Sequence, residues 1–335
     1  MNRTRYPVNK LRQLAIQALV NHGTSSSNAE LVAEALIAAD LDGLGGHGLS
    51  RLSSYCSQVK TGKVDGFAVP VREQVTAAVV RIDAQKGFAY PAMDLAVDCL
   101  VELAPKTGIA LASITNSHHC GSAGYHVERI AEQGLIALLF ANTPKAIAPW
   151  GGQKALFGTN PIAFGAPRKG RVPLVIDLAL SKVARGKIMA ASRENILIPK
   201  GWALDAKGNH TTDPHAALAG TMLPMGDAKG AALVLMVEVL AAALTSSNFG
   251  FEASSFISVK GSAPCVGQLL IAISPGPPSS DGYYSRMETL QEAILEQEGT
   301  RLPGDRRISS RERNNFDGIE LTDDAYDELE KLGEI

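Results

Sequence analysis

The residues with the clearest chemical potential are a histidine and an arginine four positions apart, His47 and Arg51. Residues at this spacing share one face of a helix, so both side chains can contact one ligand. An imidazole can donate or accept a proton at a reacting centre, and a guanidinium binds a carboxylate through two parallel hydrogen bonds. The pair therefore suits an acid with an oxygen or nitrogen on C2. A surface histidine beside a solvated arginine is the alternative.

A second histidine segment, NSHHCGSAG at residues 116–124, follows a predicted strand and precedes a predicted helix. Small residues at such a point let backbone N–H groups approach an anion at the helix N-terminus. His118 and His119 could be catalytic, metal-binding or structural, and a plain polar turn is the alternative for the whole segment. We predict no metal site, because only Cys120 and His126 stand nearby as further ligands.

Two single residues and one arginine cluster could also contact a ligand. Thr159, in the turn FGTNP, offers its hydroxyl to a ligand or only stabilises its own turn. Asp177 lies in the apolar run LVIDLAL, where a carboxylate is costly to bury without a partner. It could bind cofactor hydroxyls or cap a neighbouring helix. Arg301, Arg306 and Arg307 surround a Pro-Gly turn, which suits a phosphate; a solvated charged tail is the alternative.

The stretch GLGGHG at residues 43–48 has the spacing of a dinucleotide-binding glycine loop, but its context differs. That loop requires a strand before it and a helix after it. Here a helical stretch, LVAEALIAADLD, precedes it, and no acidic residue ends a second strand about 20 residues later. A dinucleotide would therefore be bound by another fold.

Composition excludes several classes of protein. The 335 residues have a net charge of −2, with 45% apolar and 20% charged residues, as in a soluble globular protein. Near-neutral charge argues against nucleic-acid binding. No uncharged apolar run reaches the about 18 residues of a membrane span, and the N-terminus has no apolar signal segment. Four separated cysteines predict reduced thiols in a cytoplasmic protein, with neither disulfide framework nor zinc site.

The elements that must position these residues are helices at both ends of the chain and strands in the middle. Hydrophobic spacing predicts helices over residues 8–22, 27–42, 50–60, 88–103, 123–132, 182–192 and 230–244. The second begins with a capping box at Ser27, and the last is apolar nearly all round and therefore expected to be buried. Apolar, β-branched runs predict strands over residues 75–82, 109–115, 135–141, 162–166, 174–180 and 269–274.

These elements predict an α/β or α+β protein with two parts. Residues 1–73 and 286–335, from the two termini, would form a helical domain. Residues 74–285 would form a central sheet domain. The segment PGPPSS at residues 275–280 is the expected hinge.

Five segments together carry a resemblance to a known family: DLDGLGGHGLSRL, NSHHCGSAG, PWGGQKALFGTNPIAFGAP, GWALDAKGNHTTDP and GDAKGAALVLMVEVLAAALT. Their order resembles the malate/L-lactate dehydrogenase family of the non-Rossmann type, over nearly the whole chain. The resemblance implies that family's fold, with a central, mostly antiparallel sheet that binds a dinucleotide. It also implies a homodimer with active sites near the subunit contact.

The resemblance further implies roles for individual residues. His47 resembles the family's acid/base histidine and Arg51 its substrate-carboxylate ligand, whereas His119 aligns with the histidine proposed as acid/base in the ureidoglycolate enzymes. Thr159, Arg185 and Gly186 fall at substrate-contacting positions. The implied cofactor contacts are His119, Cys120, Gly121, Ser122, Ala123, Asp177, Leu178, Ala179, Lys229, Arg301, Arg306 and Arg307.

The implied activity is an NAD(P)H-dependent oxidoreductase that transfers a hydride to C2 of a small 2-imino or 2-oxo acid. TRLPGDRR and NSHH are most similar to the family's reductases of Δ1-piperideine-2-carboxylate and Δ1-pyrroline-2-carboxylate. This reduction is the leading hypothesis, with NADP preferred and NAD possible.

Two departures from the pattern keep a second hypothesis open. Lys187 stands where a cyclic-imine reductase of the family has aspartate, and Gly46 stands where the family often has serine. Malate, L-lactate or ureidoglycolate could then be oxidised as a 2-hydroxy acid. A catalytically silent dinucleotide-binding protein is the third hypothesis, and the presence of both His47 and Arg51 counts against it.

Overall fold

The computed structural model describes residues 3–280 and 282–334. Its helices are α1 Val8–Asn21, α2 Ser26–Leu41, α3 Leu52–Lys60, α4 Ala89–Thr107, α5 Ala123–Glu132, α6 Arg185–Glu194, α7 Pro214–Ala219, α8 Asp227–Glu238, α9 Gly276–Ser279, α10 Tyr283–Leu295, α11 Asp305–Asp317 and α12 Asp323–Gly333. Its strands are β1 Arg3–Tyr6, β2 Val71–Thr76, β3 Val79–Asp83, β4 Ile109–Ser117, β5 Ile136–Ala141, β6 Ile162–Arg168, β7 Arg171–Leu178, β8 Ala203–Leu204, β9 His210–Thr211, β10 Thr221–Met222, β11 Val266–Ile273 and β12 Ile319–Thr322.

A seven-stranded sheet forms the centre of the molecule, in the order β2-β3-β4-β11-β5-β6-β7. The β3–β4 pair is parallel, and the other five neighbouring pairs are antiparallel. The mixed α/β class and the mostly antiparallel central sheet expected from the sequence are confirmed.

Both faces of this sheet are covered, because successive side chains of a strand point to opposite faces. On β11, Leu270 and Ala272 pack into a core that contains residues of α4 and α5. Leu269 and Ile271, from the same strand, pack into a second core that contains Val234 of α8. Strand β11 is therefore buried on both sides, which explains its nearly continuous apolar sequence.

The two termini meet in a third core beside the sheet. Strand β1 pairs antiparallel with β12, and the rings of Tyr6 and Tyr326 stack with their centroids 3.8 Å apart. Residues of α1, α2, α3 and α12 pack together in this core. The division into residues 1–73 with 286–335 and 74–285 stays a prediction.

Three local expectations are wrong. The strand predicted over residues 75–82 is interrupted by a turn at Ala77 and Ala78, which makes β2 and β3 a hairpin. Helix α2 is capped two residues earlier than predicted: Ser25 Oγ accepts a hydrogen bond from Asn28 N at 3.3 Å. The helix over residues 230–244 is buried on one side only, and Leu235 on its other side is 52% exposed.

The segment predicted as a hinge, residues 275–280, is partly helical, because it contains the short helix α9.

In the described part of the chain, no helix has the length and apolarity needed to cross a membrane.

Candidate active site

His47 and Arg51 lie on two short 3₁₀ turns, Gly45–His47 and Leu49–Arg51, between α2 and α3. Arg51 Nε donates a hydrogen bond to Gly46 O at 2.7 Å. This bond fixes the guanidinium beside the His47 turn and leaves both terminal nitrogens without a partner among residues 3–280 and 282–334. Two parallel N–H groups are thus available to a carboxylate.

His47 stacks on the second candidate histidine. The ring centroids of His47 and His119 are 5.3 Å apart, with an angle of 17° between the planes. The Nδ1 atom of His47 is buried and has no hydrogen-bond partner in the described part of the chain. Burial, and secondly the charge of Arg51, lower the pKa of His47, while Asp177 acts in the opposite direction. A neutral imidazole at this position can accept a proton.

His119 is held from behind by two tyrosines that the sequence analysis did not identify. Its Nδ1 lies 2.7 Å from Tyr55 Oη, which lies 3.1 Å from Tyr90 Oη. Burial raises the pKa of Tyr55 to about 12, so this hydroxyl keeps its proton and can donate it to one of these partners. Tyr55 stands four residues after Arg51, and this spacing was a signal that the sequence offered.

His118, the neighbour of His119, points into the protein. Its Nε2 lies 3.1 Å from Gln58 Oε1, and His118 is only 1% exposed. Burial, followed by the charges of Lys63 and Arg51, lowers its pKa to about 3. Of the roles left open by the sequence, this geometry favours the structural one.

The segment from His119 to Ala123 connects β4 to α5 and is tied to the end of β7. Asp177 Oδ2 accepts hydrogen bonds from Gly124 N at 2.7 Å and from Ser122 Oγ at 3.1 Å. Asp177 therefore caps α5, and it escapes the expected cost of burial because it is exposed on an edge strand. Gly121 has φ +70°, and a Cβ there would lie 2.7 Å from Tyr90 Oη, so this turn requires glycine.

Backbone contacts bring the other candidates to the same end of β7. Thr159 O accepts from Leu180 N at 2.8 Å, and Leu180 O accepts from Met225 N at 2.8 Å. The turn of Thr159 and the start of α8, which carries the exposed Lys229, thus flank Leu178 and Ala179. Thr159 N also donates to Thr143 Oγ1 at 2.9 Å.

Arg185 and Gly186 are exposed at the start of α6. The chain reaches them directly from the end of β7, through a segment in which Lys182 N donates to Leu223 O at 2.8 Å. Nothing in these contacts assigns them a ligand, and their substrate role stays a prediction.

The predicted arginine cluster is divided by the structure. Arg307 donates to Glu128 Oε2 at 2.5 Å and to Asp42 Oδ2 at 2.9 Å, and its side chain is 11% exposed. Arg311 binds the same two carboxylates. These pairs occupy Arg307 and speak against its predicted role as a phosphate ligand.

Arg301 and Arg306 have different surroundings from Arg307. Both are exposed and form no ion pair within residues 3–280 and 282–334. A phosphate of a bound cofactor would therefore meet these two guanidinium groups without competing carboxylates. Their role in cofactor binding stays a prediction.

A buried carboxylate that the sequence analysis overlooked stabilises the turn of Thr159. Glu238, 2% exposed, accepts from Asn160 Nδ2 at 3.0 Å and lies close to Gly250 N and Asn142 Nδ2. Burial raises its pKa, although the hydrogen bonds from Asn160 and the backbone oppose the shift. A single acid in the apolar helix ALVLMVEVL was the available signal.

Comparisons with known proteins identify the family of this chain. The family model for malate/L-lactate dehydrogenase matches residues 6–330. A (2R)-3-sulfolactate dehydrogenase (NADP(+)) from Chromohalobacter salexigens is 52% identical over 316 residues, which cover 94% of each chain. A Δ1-pyrroline-2-carboxylate/Δ1-piperideine-2-carboxylate reductase from Pseudomonas syringae pv. tomato is 43% identical over 98% of this chain and 95% of its own.

Solved structures show the same fold. The crystal structure of Δ1-piperideine-2-carboxylate reductase from Pseudomonas syringae matches with a TM-score of 0.92 and 43% identity, over 98% of this chain and 99% of that one. Sulfolactate dehydrogenase from Methanocaldococcus jannaschii matches with a TM-score of 0.90 and 28% identity, over 98% and 96%. The chain belongs to the malate/L-lactate dehydrogenase family and is an oxidoreductase, as its resemblance implied.

Proposed function

We propose that this enzyme interconverts a small 2-hydroxy acid and its 2-oxo acid with NADP, and that (2R)-3-sulfolactate is the first substrate to test. The observation that carries the proposal is the pair of His47 and Arg51. Among the described residues, the Nδ1 of this neutral imidazole and both terminal nitrogens of the neighbouring guanidinium have no partner. Similarity to the 52% identical sulfolactate dehydrogenase supports the choice of substrate.

The exposed surface around the end of β7 fits a dinucleotide. Leu178 is 47% exposed there. The N–H of Gly124 at the start of α5 is already bound by Asp177, so cationic side chains, and not this helix N-terminus, are the phosphate ligands we propose. The exposed cations Lys229, Arg301 and Arg306 would hold cofactor phosphates. When bound, the nicotinamide exchanges a hydride with C2 of the substrate. The sulfolactate relative is named for its use of NADP(+), which supports NADP as the cofactor, with NAD as the alternative.

The protein's own residues would bind the substrate and move its proton. Arg51 holds the C1 carboxylate through both terminal nitrogens and thereby orients C2. His47 accepts the proton of the C2 hydroxyl as the oxo group forms, and returns it in the reverse direction. Arg185 and Lys187, exposed at the start of α6, are available to a second anionic group such as a sulfonate.

Reduction of a cyclic 2-imino acid is the second candidate. It is favoured by the 43% identical reductase and by that enzyme's matching crystal structure. A cyclic imine that is already protonated on nitrogen needs no proton from the enzyme when C2 receives a hydride. The two candidates therefore differ in their need for His47.

One panel of assays separates the candidates. Sulfopyruvate, oxaloacetate, pyruvate, Δ1-piperideine-2-carboxylate and Δ1-pyrroline-2-carboxylate are tested with NADPH and NADH, and sulfolactate, malate, lactate and ureidoglycolate with the oxidised cofactors. We expect the highest kcat/KM with sulfopyruvate and NADPH. Turnover confined to the cyclic imines would overturn the lead proposal in favour of the second. No turnover at all, with intact cofactor binding, would favour a silent dinucleotide-binding protein.

We also propose that the enzyme is a cytoplasmic homodimer. All four cysteines are free thiols, which suits a reducing compartment. The outer side of α8 and of the π-helical turn that follows it is apolar and exposed, with Val239 at 52% and Leu244 at 56%, and a second copy could cover it. Sedimentation equilibrium tests the dimer.

A further inference from the structure

Residues 255–260 form a loop between the π-helical turn and β11. This loop lies against α3 and against His118 and His119, called the histidine pair below. Phe256 contacts both imidazoles: its ring centroid is 5.2 Å from that of His118 and 5.2 Å from that of His119. The aromatic ring therefore covers the side of the histidine pair that faces this loop.

The loop is attached to α3 through its backbone carbonyls. Gln58 Nε2 donates to Phe256 O at 2.9 Å, and Ser54 Oγ donates to Ile257 O at 3.1 Å. The same Gln58 binds His118 through its Oε1. The side chain of Gln58 thus fixes both the loop and His118 relative to α3.

Lys63, just after α3, supplies the strongest of these attachments. Its Nζ donates to the carbonyls of Ser255 at 2.6 Å, Ser258 at 2.7 Å and Lys260 at 3.1 Å. The residue is 3% exposed, and no carboxylate lies within ion-pair distance of it in the described ranges. A buried ammonium is costly unless it is hydrogen-bonded, so these three carbonyls are what keep Lys63 in place, and Lys63 keeps them together.

We propose that residues 255–260 are a wall of the active site, that Phe256 is a positioning residue for His119, and that the Lys63 ammonium holds this wall closed. Through the stack of His119 on His47, the wall also limits how far the two imidazoles can move. This inference rests on the proposed function only for its kinetic consequence, since the wall and its attachment are properties of the folded chain.

The wall has a chemical consequence for His119. Burial is the first cause of the lowered pKa of His119, ahead of the charges of Arg51, His47 and His118. Because Phe256 contributes to that burial, opening the wall admits water and moves the pKa of His119 back towards its ordinary value. If His119 became protonated near neutral pH, its positive charge would repel Arg51. Its Nδ1 could then no longer accept a hydrogen bond from the Tyr55 hydroxyl.

Two variants and one matched control test the proposal without any substrate. Lys63→Met keeps most of the side-chain volume and removes the ammonium, and Phe256→Ala removes the ring. Lys60→Met alters an exposed lysine nearby, the last residue of α3. Hydrogen exchange of residues 255–260 is measured first. We expect at least about tenfold faster exchange in Lys63→Met, since a charge-assisted bond contributes about one power of ten or more, and wild-type exchange in Lys60→Met.

Histidine titration by NMR is the second measurement, with the His119 signal assigned from a His119→Gln variant. Phe256→Ala and Lys63→Met should both raise the pKa of His119, and Lys60→Met should leave it unchanged. Lys63→Met should also raise the pKa of His118, because the charge of Lys63 is one cause of its lowering. An unchanged His119 titration in Phe256→Ala, or wild-type exchange in Lys63→Met, would overturn the proposal.

These readouts also separate this inference from the proposed function. If the exchange and titration results hold while the substrate panel shows no turnover, the wall is established and the activity is wrong. If turnover is found, the acid limb of the kcat/KM profile should move to higher pH in Phe256→Ala. A purely structural role of the loop would lower stability without moving that limb.

Discussion

Arg306 and Arg307 are neighbours in α11, but only Arg307 forms ion pairs. Substitution of Arg307 by methionine should lower stability, whereas substitution of Arg306 should weaken NADPH binding. Arg307 binds Glu128 and Asp42, whose side chains are 5% and 6% exposed. Arg306 is exposed and pairs with no carboxylate of the described residues. The sequence assigned both arginines to a cofactor phosphate, so the pair Arg306→Met and Arg307→Met tests that assignment directly.

The magnitude follows from the buried carboxylates. Removing one partner of a buried ion pair costs about 3–5 kcal/mol, because the other charge stays buried without compensation. Here Arg311 still binds both acids, and its side chain is 28% exposed, so water can also approach. We therefore expect Arg307→Met to lower the free energy of unfolding by about 2–4 kcal/mol. Arg306→Met should change it by less than about 0.5 kcal/mol.

The pH dependence of this difference has a defined sign. Burial raises the pKa of Glu128, but hydrogen bonds from Arg307 and Arg311 outweigh burial and lower it overall. A carboxyl whose pKa is lowered on folding contributes stability above its unfolded pKa, about 4.3. That contribution is lost as the pH falls through the folded pKa. The stability difference between the two variants should therefore shrink in acid.

Urea unfolding at pH 7 and at pH 3.5 measures stability, and fluorescence titration measures the Kd of NADPH and NADH. We expect Arg306→Met to weaken NADPH about tenfold, the loss of one charge-assisted bond, and to leave NADH nearly unchanged. The reasoning is refuted if Arg307→Met unfolds like the wild type and weakens NADPH alone. The phosphate, and not the two carboxylates, would then be the partner of Arg307.

His47→Ala should lower kcat by about 10²–10⁴ at an unchanged Kd for NADPH; loss only in His119→Ala would move the acid/base role to that residue. Arg51→Lys should retain only part of the wild-type kcat/KM, because an ammonium cannot form the planar two-bond contact with the carboxylate. A wild-type kcat/KM in this variant would contradict that contact. Burial raises the pKa of Asp40 to about 6, so its ionisation opposes folding by about 3 kcal/mol at neutral pH. Stability in urea should fall as the pH rises from 4 to about 6, and Asp40→Asn should abolish this fall; an identical slope in both proteins would exclude Asp40.

The fold was predictable where local patterns and tertiary packing agree. Helix α5 begins and ends at the predicted residues, 123 and 132, because Ala123, Val127 and Ile130, at helical spacing, pack into the core on one face of the sheet. The break between β2 and β3 was not visible, since Ala77 and Ala78 carry none of the usual turn signals. The expectation that α8 is buried on all sides was wrong for another reason. An apolar helix is stabilised when its surface is buried, but its sequence does not show whether residues of the same chain or of another chain bury it.

The candidate site was predictable only where its members are close in sequence. His47 and Arg51 are four residues apart and do lie near each other, but on two 3₁₀ turns and not on the one helical face that their spacing predicted. Tyr55 meets His119 across 64 positions, a contact that depends on tertiary packing and has no local sequence signal. Arg306 and Arg307 show the same limit at the scale of one residue, since the direction in which each points depends on where α11 packs.

The glycines of GLGGHG show how a motif can fail as a signal for one function and still be physically required. A Cβ on Gly48 would lie 2.0 Å from Asp40 Oδ1, so only glycine permits this approach. Asp40 Oδ2 then accepts a hydrogen bond from Leu49 N at 2.7 Å, at the first residue of the second 3₁₀ turn. A buried carboxylate thus anchors the start of the turn that carries Arg51. Gly48 therefore serves the geometry of the proposed acid/base and its carboxylate ligand, which explains why a glycine stands between His47 and Arg51.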